Sequence, residues 1–329
     1  MIKILKSWVA IFVVFGVLYL LKYFLPQSFI IEVVIGSVYV MGCSFLIGRM
    51  GLVSFGQPAY LAFGAYGTAF YLYYLGTNPY LGVLAGIFMG LAISAVMGAF
   101  LVRLSSSYFT LSNLAFCAIS FFLFQKLLVN YTHGDNGLWF LGRMDSTPVL
   151  DLSTTKGVFI FSFLVAIGIW ILFDYLMNRS VFGAACLAVK TNEEKLRFLG
   201  YNTFKVKWLG FVIANTTTAM AGALYAIYLG FVSAEISDVS RAIEPVAMSM
   251  LGGAGTLFGP IAGIFILTGL KDIASQVISY WELMVGLLLV AIMLGGEKGV
   301  VNFLGDLFGK LLRKKYVDNQ SLKSVDGGV

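Results

Sequence analysis

The sequence predicts an all-α polytopic membrane protein, and three observations support this fold class. The chain of 329 residues is 59% hydrophobic and 12% charged, whereas a soluble domain carries about 25% charged residues. Its mean hydropathy is +0.90. Its apolar residues fall into runs of about 20, the length that a helix needs to cross a bilayer. We therefore expect about 8–10 transmembrane segments in one helical bundle.

Nine apolar runs are candidate spans. The first follows a basic N-terminus and lacks a small-residue cleavage site, so we interpret it as a retained helix and not as a secretory signal. The spans are predicted at residues 8–25, 29–47, 52–75, 81–102, 111–129, 158–177, 208–231, 243–270 and 283–294.

Basic residues lie between the apolar runs, which is typical of positive-inside topology and not of a nucleic-acid partner. Lys3 and Lys6 predict a cytoplasmic N-terminus, and the basic stretches 178–207 and 297–329 are predicted on the same face. Nine simple crossings would place the C-terminal stretch outside. We therefore expect run 243–270 to enter and leave the membrane on one face, so that both termini are cytoplasmic.

Two of the apolar runs are interrupted by glycine and proline, at SFGQPA (54–59) and at LGGAGTLFGP (251–260). Irregular backbone at membrane depth is tolerated where it is buried in protein or lines a wet cavity. Interrupted segments at corresponding places in two halves of a chain indicate a substrate path, so we predict an inverted repeat with both segments on the path. Two alternatives remain. The glycines could serve close packing of helices, or the two interrupted segments could resemble each other by chance.

The candidate path residues combine irregular backbone with polar side chains. Each Ser, Thr or Asn could instead bond a helix carbonyl. Glu244 is a functional candidate because it is ionisable at a membrane edge, but it also suits a helix start, and Glu32 is expected to snorkel from a span end. The substrate-pathway candidates are Ser54, Gly56, Gln57, Pro58, Asn113, Asn215, Glu244, Gly252, Gly253, Gly255, Gly259 and Pro260.

The polar stretch 178–207 predicts a short amphipathic helix on the cytoplasmic face. Asn192 is a favourable N-cap, and Glu193 and Glu194 suit the positive first turn of a helix. Gly200 suits a left-handed C-cap. This helix is either an ordinary solvated loop helix or a docking helix for a soluble partner. Its apolar stripe is expected to comprise Val189, Leu196 and Leu199.

The residue types of a catalytic or metal centre are sparse. The three cysteines are far apart in the sequence, which fits neither a disulfide framework nor a metal cluster. The phosphate-binding motif G-x-x-x-x-G-K-[ST] is missing from the sequence. We expect no catalytic residue, no metal and no cofactor in this chain.

Several motifs resemble those of permease subunits of branched-chain amino acid ABC importers, specifically the LivM type. GLVSFGQPAYLAFGAY resembles that family's Gly-rich early segment, SSYFTLSNLAF a helix start and THGDNGL an outside loop. NEEKLRFLG is similar to the coupling motif of ABC permeases, with Glu194 and Gly200 at matching spacing and with Lys195 and Leu196 in place of two alanines. IEPVAMSMLGGAGTLFGPIAG resembles the family's last shared block, and the likeness covers roughly residues 35–304.

The resemblance implies a subunit without its own ATPase in the bacterial cytoplasmic (inner) membrane. The implied partners are a LivH-type second permease, two ATP-binding subunits that hold ATP and Mg²⁺, an extracytoplasmic substrate-binding protein and membrane lipid. The implied substrate is a branched-chain amino acid or a similar small polar solute. The residues that would couple to the ATPase are Asn192, Glu193, Glu194, Leu196, Leu199 and Gly200.

The expected organisation has two halves of a bundle, residues 1–177 and 208–296, around the coupling segment 178–207 and before a basic cytoplasmic tail at 297–329. Three other functions remain open from the sequence. One is an ion-gradient-driven secondary transporter, the second is a channel or scaffold membrane protein, and the third is an ABC importer of the same family for urea or short amides.

Overall fold

The computed structural model describes residues 2–147 and 150–277 together with the single position Gly286. This part of the chain is predominantly helical, which confirms the all-α fold class. The predicted span 283–294 and the basic tail lie outside the described residues. The helices are α1 (Ile2–Leu20), α2 (Gln27–Phe45), α3 (Gln57–Phe70), α4 (Pro79–Leu101), α5 (Ser106–Phe122), α6 (Val129–Thr132), α7 (Thr155–Asn178), α8 (Val181–Phe198), α9 (Thr203–Leu229), α10 (Glu244–Gly252) and α11 (Gly259–Val277).

Five helices in the described part are long and apolar enough to cross a membrane, which makes the chain a multi-pass membrane protein. They coincide with five predicted spans. The first predicted span is the shorter apolar helix Ser7–Tyr23, whereas runs 52–75 and 243–270 are broken. The five long helices are Gln27–Met50, Pro79–Leu101, Ser106–Leu127, Thr155–Asn178 and Thr203–Leu229.

Both interrupted runs contain six irregular residues followed by a helix with proline in its first turn. Residues 51–56 precede α3, which begins Gln57-Pro58, and residues 253–258 precede α11, which begins Gly259-Pro260. Proline suits this place because the first helical N–H groups have no partner within the helix. Gly51 and Gly253 end the preceding helical turns at φ +70° and +101°, which favours glycine.

The α10–α11 pair is an antiparallel hairpin. A Cβ added at Gly252 would overlap the carbonyl of Gly259, and one added at Gly263 would overlap the carbonyl of Met248. Run 243–270 therefore enters and leaves at the same end of the bundle, as the charge distribution predicts. Gly255 packs against Gly48 near the end of α2, so both irregular segments lie at one end of α2. The inverted-repeat relationship between the two halves stays a prediction.

Small residues bring α3, α4 and α9 into close contact. A Cβ added at Gly64 would overlap the carbonyl of Ala219, and one at Gly222 would overlap the carbonyl of Leu61. On α4, a Cβ added at Gly90 would overlap the Ala219 side chain. Apolar burial gives little driving force between helices in lipid, so this close packing is what holds membrane helices together.

The two ends of the bundle differ in structure. α9 begins at Thr203, just after α8, and ends at Leu229, just before a short strand. That strand, β2 (Phe231–Val232), pairs antiparallel with β1 (Leu138–Trp139), with Leu138 opposite Val232. We refer to these as the α8 end and the sheet end of the bundle.

Candidate functional site

Four neutral polar side chains are buried on α3, α5 and α9, and we call them together the polar seam. The polar seam comprises Gln57, Asn113, Asn215 and Thr218, and each of these residues is fully buried. Thr218 Oγ1 donates a hydrogen bond of 2.6 Å to Gln57 Oε1. The amide groups of Asn113 and Asn215 donate to carbonyls one turn earlier in their own helices. A Cβ added at Gly56 would stand 3.0 Å from the carbonyl of Asn113, so the residue before α3 packs closely on α5.

The polar seam keeps three atoms without a protein partner among the described residues. They are Gln57 Nε2, Asn113 Oδ1 and Asn215 Oδ1. A buried polar atom left unbonded costs about 1–3 kcal/mol. These atoms would gain hydrogen bonds if the helices separated and admitted water or a polar solute. A role of the seam in a substrate path stays a prediction.

The remaining small residues of the predicted path are packed against neighbouring backbone. Ser54 is buried, and its hydroxyl accepts a hydrogen bond from the N–H of Gly56 at 3.3 Å. The 253–258 turn is held by Ser44, which accepts from the N–H of Gly255 at 3.1 Å, and by Trp170. Close packing against neighbouring backbone accounts for the glycines at 252, 255 and 259, and the positive φ of Gly253 favours glycine there. The place of these residues and of Pro260 on a path stays a prediction.

Glu244 lies in a different place, on the wall of an open cavity of about 130 Å³ between α2, α9 and the α10–α11 hairpin. Glu32 lines the same cavity and is exposed near the start of α2, so its snorkelling from a span end stays a prediction. We call this space the charged cavity because its ionisable lining residues include Glu32, Arg241, Glu244 and Lys271. The two acids and Lys271 lie on separate parts of the sequence, so no local motif indicates the cavity.

At the opposite end, α8 consists of two helical parts that meet at Asn192. The backbone of Asn192 is extended, at φ −163° and ψ 98°, and its Oδ1 accepts from the N–H of Lys195 at 2.9 Å. The second part ends at Gly200, whose φ is +85°, and the N–H of Tyr201 donates back to the carbonyl of Leu196 at 3.4 Å. The caps expected at Asn192 and Gly200 are therefore present, although the first part of the helix begins earlier, at Val181.

A hydrogen bond and an ion pair attach the two parts of α8 to the bundle. Lys190 Nζ donates to the carbonyl of Gly48 at 3.1 Å, at the end of α2. Glu193 pairs with Lys207 of α9 at 2.9 Å. Burial opposes ionisation of Glu193, but the hydrogen bond and charge of Lys207, with help from Thr203 and Arg197, lower the pKa of this carboxyl below its ordinary value. The pair is thus complete at neutral pH and is lost as the pH falls through that lowered pKa.

The end of α8 exposes apolar side chains. We call Phe198, Leu199 and Tyr201 the α8 tip. Phe198 is 89% exposed and Leu199 is 76% exposed. Leu199 was expected in the apolar stripe with Val189 and Leu196; those two are buried, but Leu199 follows the last helical residue and points away from the bundle.

A buried network that no sequence motif predicts anchors the base of α8. Asp174 is buried near the end of α7, where it accepts hydrogen bonds from Ser7 at 2.8 Å and from Asn178 at 2.9 Å. It pairs with Arg179 at 2.5 Å. An acid inside the apolar run 158–177 was the available signal, since such residues are rare and have named partners. The network joins α1 to the start of the α8 segment.

The described residues contain no group of three or more His, Cys, Asp or Glu side chains arranged to hold a metal ion. Cys43, Cys117 and Cys186 are buried as free thiols.

Comparisons with known proteins show which family the sequence matches. Residues 25–293 match the family described as "Branched-chain amino acid transport system / permease component". The high-affinity branched-chain amino acid transport system permease protein LivM of Salmonella typhimurium is 28% identical over 286 residues, which is 79% of this chain and 66% of that protein. The match thus spans just under two thirds of that relative's length.

Two further relatives widen the comparison. The permease protein LivH of the same kind of transport system, from Escherichia coli, is 25% identical over 302 residues, 85% of this chain and 96% of that protein. The autoinducer 2 import system permease protein LsrC of Klebsiella pneumoniae is 27% identical over 221 residues, 65% of this chain and 59% of that protein. No solved structure matches this chain.

Proposed function

Because the chain belongs to the branched-chain amino acid transport system permease family, we propose that it is the membrane-spanning permease subunit of an ABC importer. In this proposal it moves branched-chain amino acids or similar small polar solutes into the cytoplasm and takes its energy from ATP hydrolysis in partner subunits. The names of LivM and LivH support the substrate class. The chain contributes a gated pathway and no catalytic residue.

The observation that carries the proposal is the α8 tip on its anchored helix. Phe198 and Leu199 are large apolar side chains that the described part of the chain does not cover. Lys190 and Glu193 hold the helix behind them to α2 and α9. A helix that is rigidly attached to the bundle and has an apolar end can pass the movement of a soluble partner on to the bundle. A flexible loop would move without displacing the bundle.

The proposed assembly assigns different partners to the two ends of the bundle. The α8 end faces the cytoplasm and two ATP-binding subunits, which hold ATP and Mg²⁺, and the sheet end faces an extracytoplasmic substrate-binding protein. A LivH-type second permease pairs with this chain in the inner membrane. In this proposal the bundle comprises residues 1–177 and 208–296. The segment 178–207 couples the bundle to the ATPase, and the tail 297–329 with its terminus is cytoplasmic.

The test is uptake by proteoliposomes that contain this chain, the second permease and the ATP-binding subunits. With binding protein outside and ATP inside, we expect accumulation of labelled leucine. We expect none with a non-hydrolysable ATP analogue or without the binding protein. ATP-independent accumulation would contradict the proposal.

An ion-gradient-driven secondary transporter is the rival function, and Glu32 and Glu244 in one cavity are the observation that favours it. Acids in membrane segments are typical of ion and proton paths. The same vesicles distinguish the two functions, since an ionophore abolishes gradient-driven uptake and leaves ATP-driven uptake intact.

The substrate needs its own measurement, because the relatives differ in what their names say they import. Competition of leucine uptake by isoleucine, valine, urea and acetamide ranks the candidates. We expect the branched-chain amino acids to compete and the amides to leave uptake unchanged. The reverse ranking would assign the chain to an importer of urea or short amides.

A further inference from the structure

A pocket lined by two lysines lies between the end of α1 and the start of α7. Lys22 follows α1, and Lys156 is the second residue of α7. Near the opposite end of these two helices Ser7 donates to Asp174, so α1 and α7 run antiparallel and the pocket lies at the sheet end of the bundle. We call this open space of about 300 Å³ the basic pocket. It is large enough for a phosphate group, since one water needs only about 10–15 Å³.

The described lining of the basic pocket contains no carboxylate. Besides the two lysines it consists of aromatic, aliphatic and amide side chains. Neither lysine forms an ion pair among the described residues. The acid nearest to Lys156 in the sequence is Asp151, which instead accepts hydrogen bonds from the N–H and the hydroxyl of Ser153 at 3.0 and 2.6 Å. Two cations that share a pocket without an acid attract an anion.

Two tyrosine rings hold the ammonium group of Lys22. Its Nζ lies 3.8 Å from the ring centroid of Tyr19 and 5.1 Å from that of Tyr23. Tyr19 in turn packs against Phe159 of α7, with the ring centroids 5.7 Å apart. A ring face attracts a cation without neutralising it. Lys22 is therefore placed in the basic pocket with its charge available to an anion.

The surface that continues from the basic pocket toward the α8 end is apolar and exposed on both helices. Tyrosines at a span end are typical of the level of the lipid headgroups, and Tyr23 is 74% exposed. The basic pocket thus lies at headgroup level, with a surface for acyl chains beside it. The exposed apolar side chains of that surface are Phe12, Val13, Val17 and Leu20 of α1 and Ile160 and Leu164 of α7.

We propose that the basic pocket binds the phosphate headgroup of an anionic phospholipid. The phosphate lies between Lys22 and Lys156, and the acyl chains lie along the exposed apolar side of α1 and α7. Basic pockets between membrane-spanning helices suit such headgroups. The bound lipid joins α1 to α7 at the sheet end, as the hydrogen bond from Ser7 to Asp174 does at the other end. The inference does not depend on which solute the chain moves or on the energy source.

Lipid photo-crosslinking in bilayers that contain the full-length chain with its bound subunits tests the inference. Phosphatidylglycerol and phosphatidylcholine, each with a diazirine at the same acyl position, are compared, and mass spectrometry identifies crosslinked peptides from residues 8–27 and 156–164. We expect phosphatidylglycerol to crosslink there at least about tenfold more, since one lysine near an anionic lipid contributes about fivefold. Millimolar glycerol 3-phosphate should leave the crosslink unchanged, because this soluble anion lacks acyl chains.

Variants then assign the preference to the two lysines. Lys22→Gln combined with Lys156→Gln should remove the preference for phosphatidylglycerol, whereas Lys22→Arg retains the cation and should keep it. Lys156 is exposed and Lys22 is partly exposed, so the fold does not depend on either side chain. Lys126→Gln is the matched control. Lys126 also lies near a span end at the sheet end, with its Nζ 5.8 Å from the ring centroid of Phe122, but outside the basic pocket.

Three results would overturn the inference. Equal crosslinking of the two lipids, or a preference that the double variant keeps, would show that the lysines do not select an anionic headgroup. Loss of the preference in Lys126→Gln would assign it to the general charge of snorkelling lysines and not to the basic pocket. Displacement by glycerol 3-phosphate would show that the pocket takes a free anion and not a lipid.

Discussion

The polar seam and the α8 tip differ in where their side chains find partners. The seam, around Gln57, is polar and fully buried, and the helices around it approach closely through glycine. The tip is apolar and exposed, with Phe198 at its end. Each region therefore has a character opposite to its surroundings, a polar patch inside a membrane bundle and an apolar patch outside it.

This difference shows which features are explained by packing within the chain. The glycine-rich pattern around the seam is accounted for by close contact between α3, α4 and α9, so no ligand is needed to explain it. No packing contact within the described part of the chain explains the exposed side chains of Phe198 and Leu199. An apolar surface on a well-anchored helix indicates a partner more directly than a run of small residues does.

The largest expected effect comes from filling the space between α3 and α9. We expect Gly222→Leu to cost more than about 3 kcal/mol, because the new side chain would overlap the backbone of Leu61. The matched control is Gly168→Leu on α7, where an added Cβ meets nothing within 4 Å. Thermal stability in detergent, followed by size-exclusion chromatography, measures both. Equal stability of the two variants would show that α3 and α9 do not pack as described.

The next effect compares the two parts of α8 by thiol labelling. Burial raises the pKa of the Cys186 thiol to about 12, so the thiolate fraction at pH 8 is about 10⁻⁴. A cysteine in Phe198→Cys is exposed and should have an ordinary pKa. We expect maleimide to label position 198 more than about 100-fold faster than Cys186 in the chain purified without its ATP-binding partners.

Mass spectrometry of the two peptides measures these rates in one sample. Comparable labelling rates at both positions would mean that the first part of α8 is not packed against the bundle. The description of α8 as an anchored helix with an exposed tip would then be wrong.

The smallest effect concerns the polar seam. We expect Gln57→Leu to change stability by less than about 1 kcal/mol, because the loss of the Thr218 hydrogen bond is offset by removal of the unbonded Nε2. Thr218 keeps a second acceptor, the carbonyl of Ala214 at 3.3 Å. Unfolding and leucine uptake are both measured. Normal stability with lost uptake would support a path through the seam, whereas normal values of both would assign the seam to packing.

The fold was largely predictable because membrane spans depend on local composition. Apolar runs identified the five long helices, and the basic stretch 297–329 led to the prediction that run 243–270 turns back on itself. The caps at Asn192 and Gly200 were also predictable, since each depends on a few neighbouring residues.

The charged cavity was not predictable, since Glu32 and Lys271 lie far apart in the sequence and their proximity depends on how α2 and α11 pack. Periodicity alone also failed at Leu199. Its spacing from Leu196 fits a helical stripe, but the helix ends at Phe198 and the side chain turns outward. Tertiary packing, which local pattern does not contain, decided both.

The central claim is that the α8 tip is the contact through which ATP hydrolysis drives this chain, and photo-crosslinking tests it most directly. A photoreactive phenylalanine analogue at position 198 is compared with the same analogue at Trp139, an exposed aromatic residue at the sheet end. In membranes with the complete complex, the account predicts that position 198 crosslinks to an ATP-binding subunit and position 139 does not. An active complex in which position 198 crosslinks to no ATP-binding subunit would contradict it.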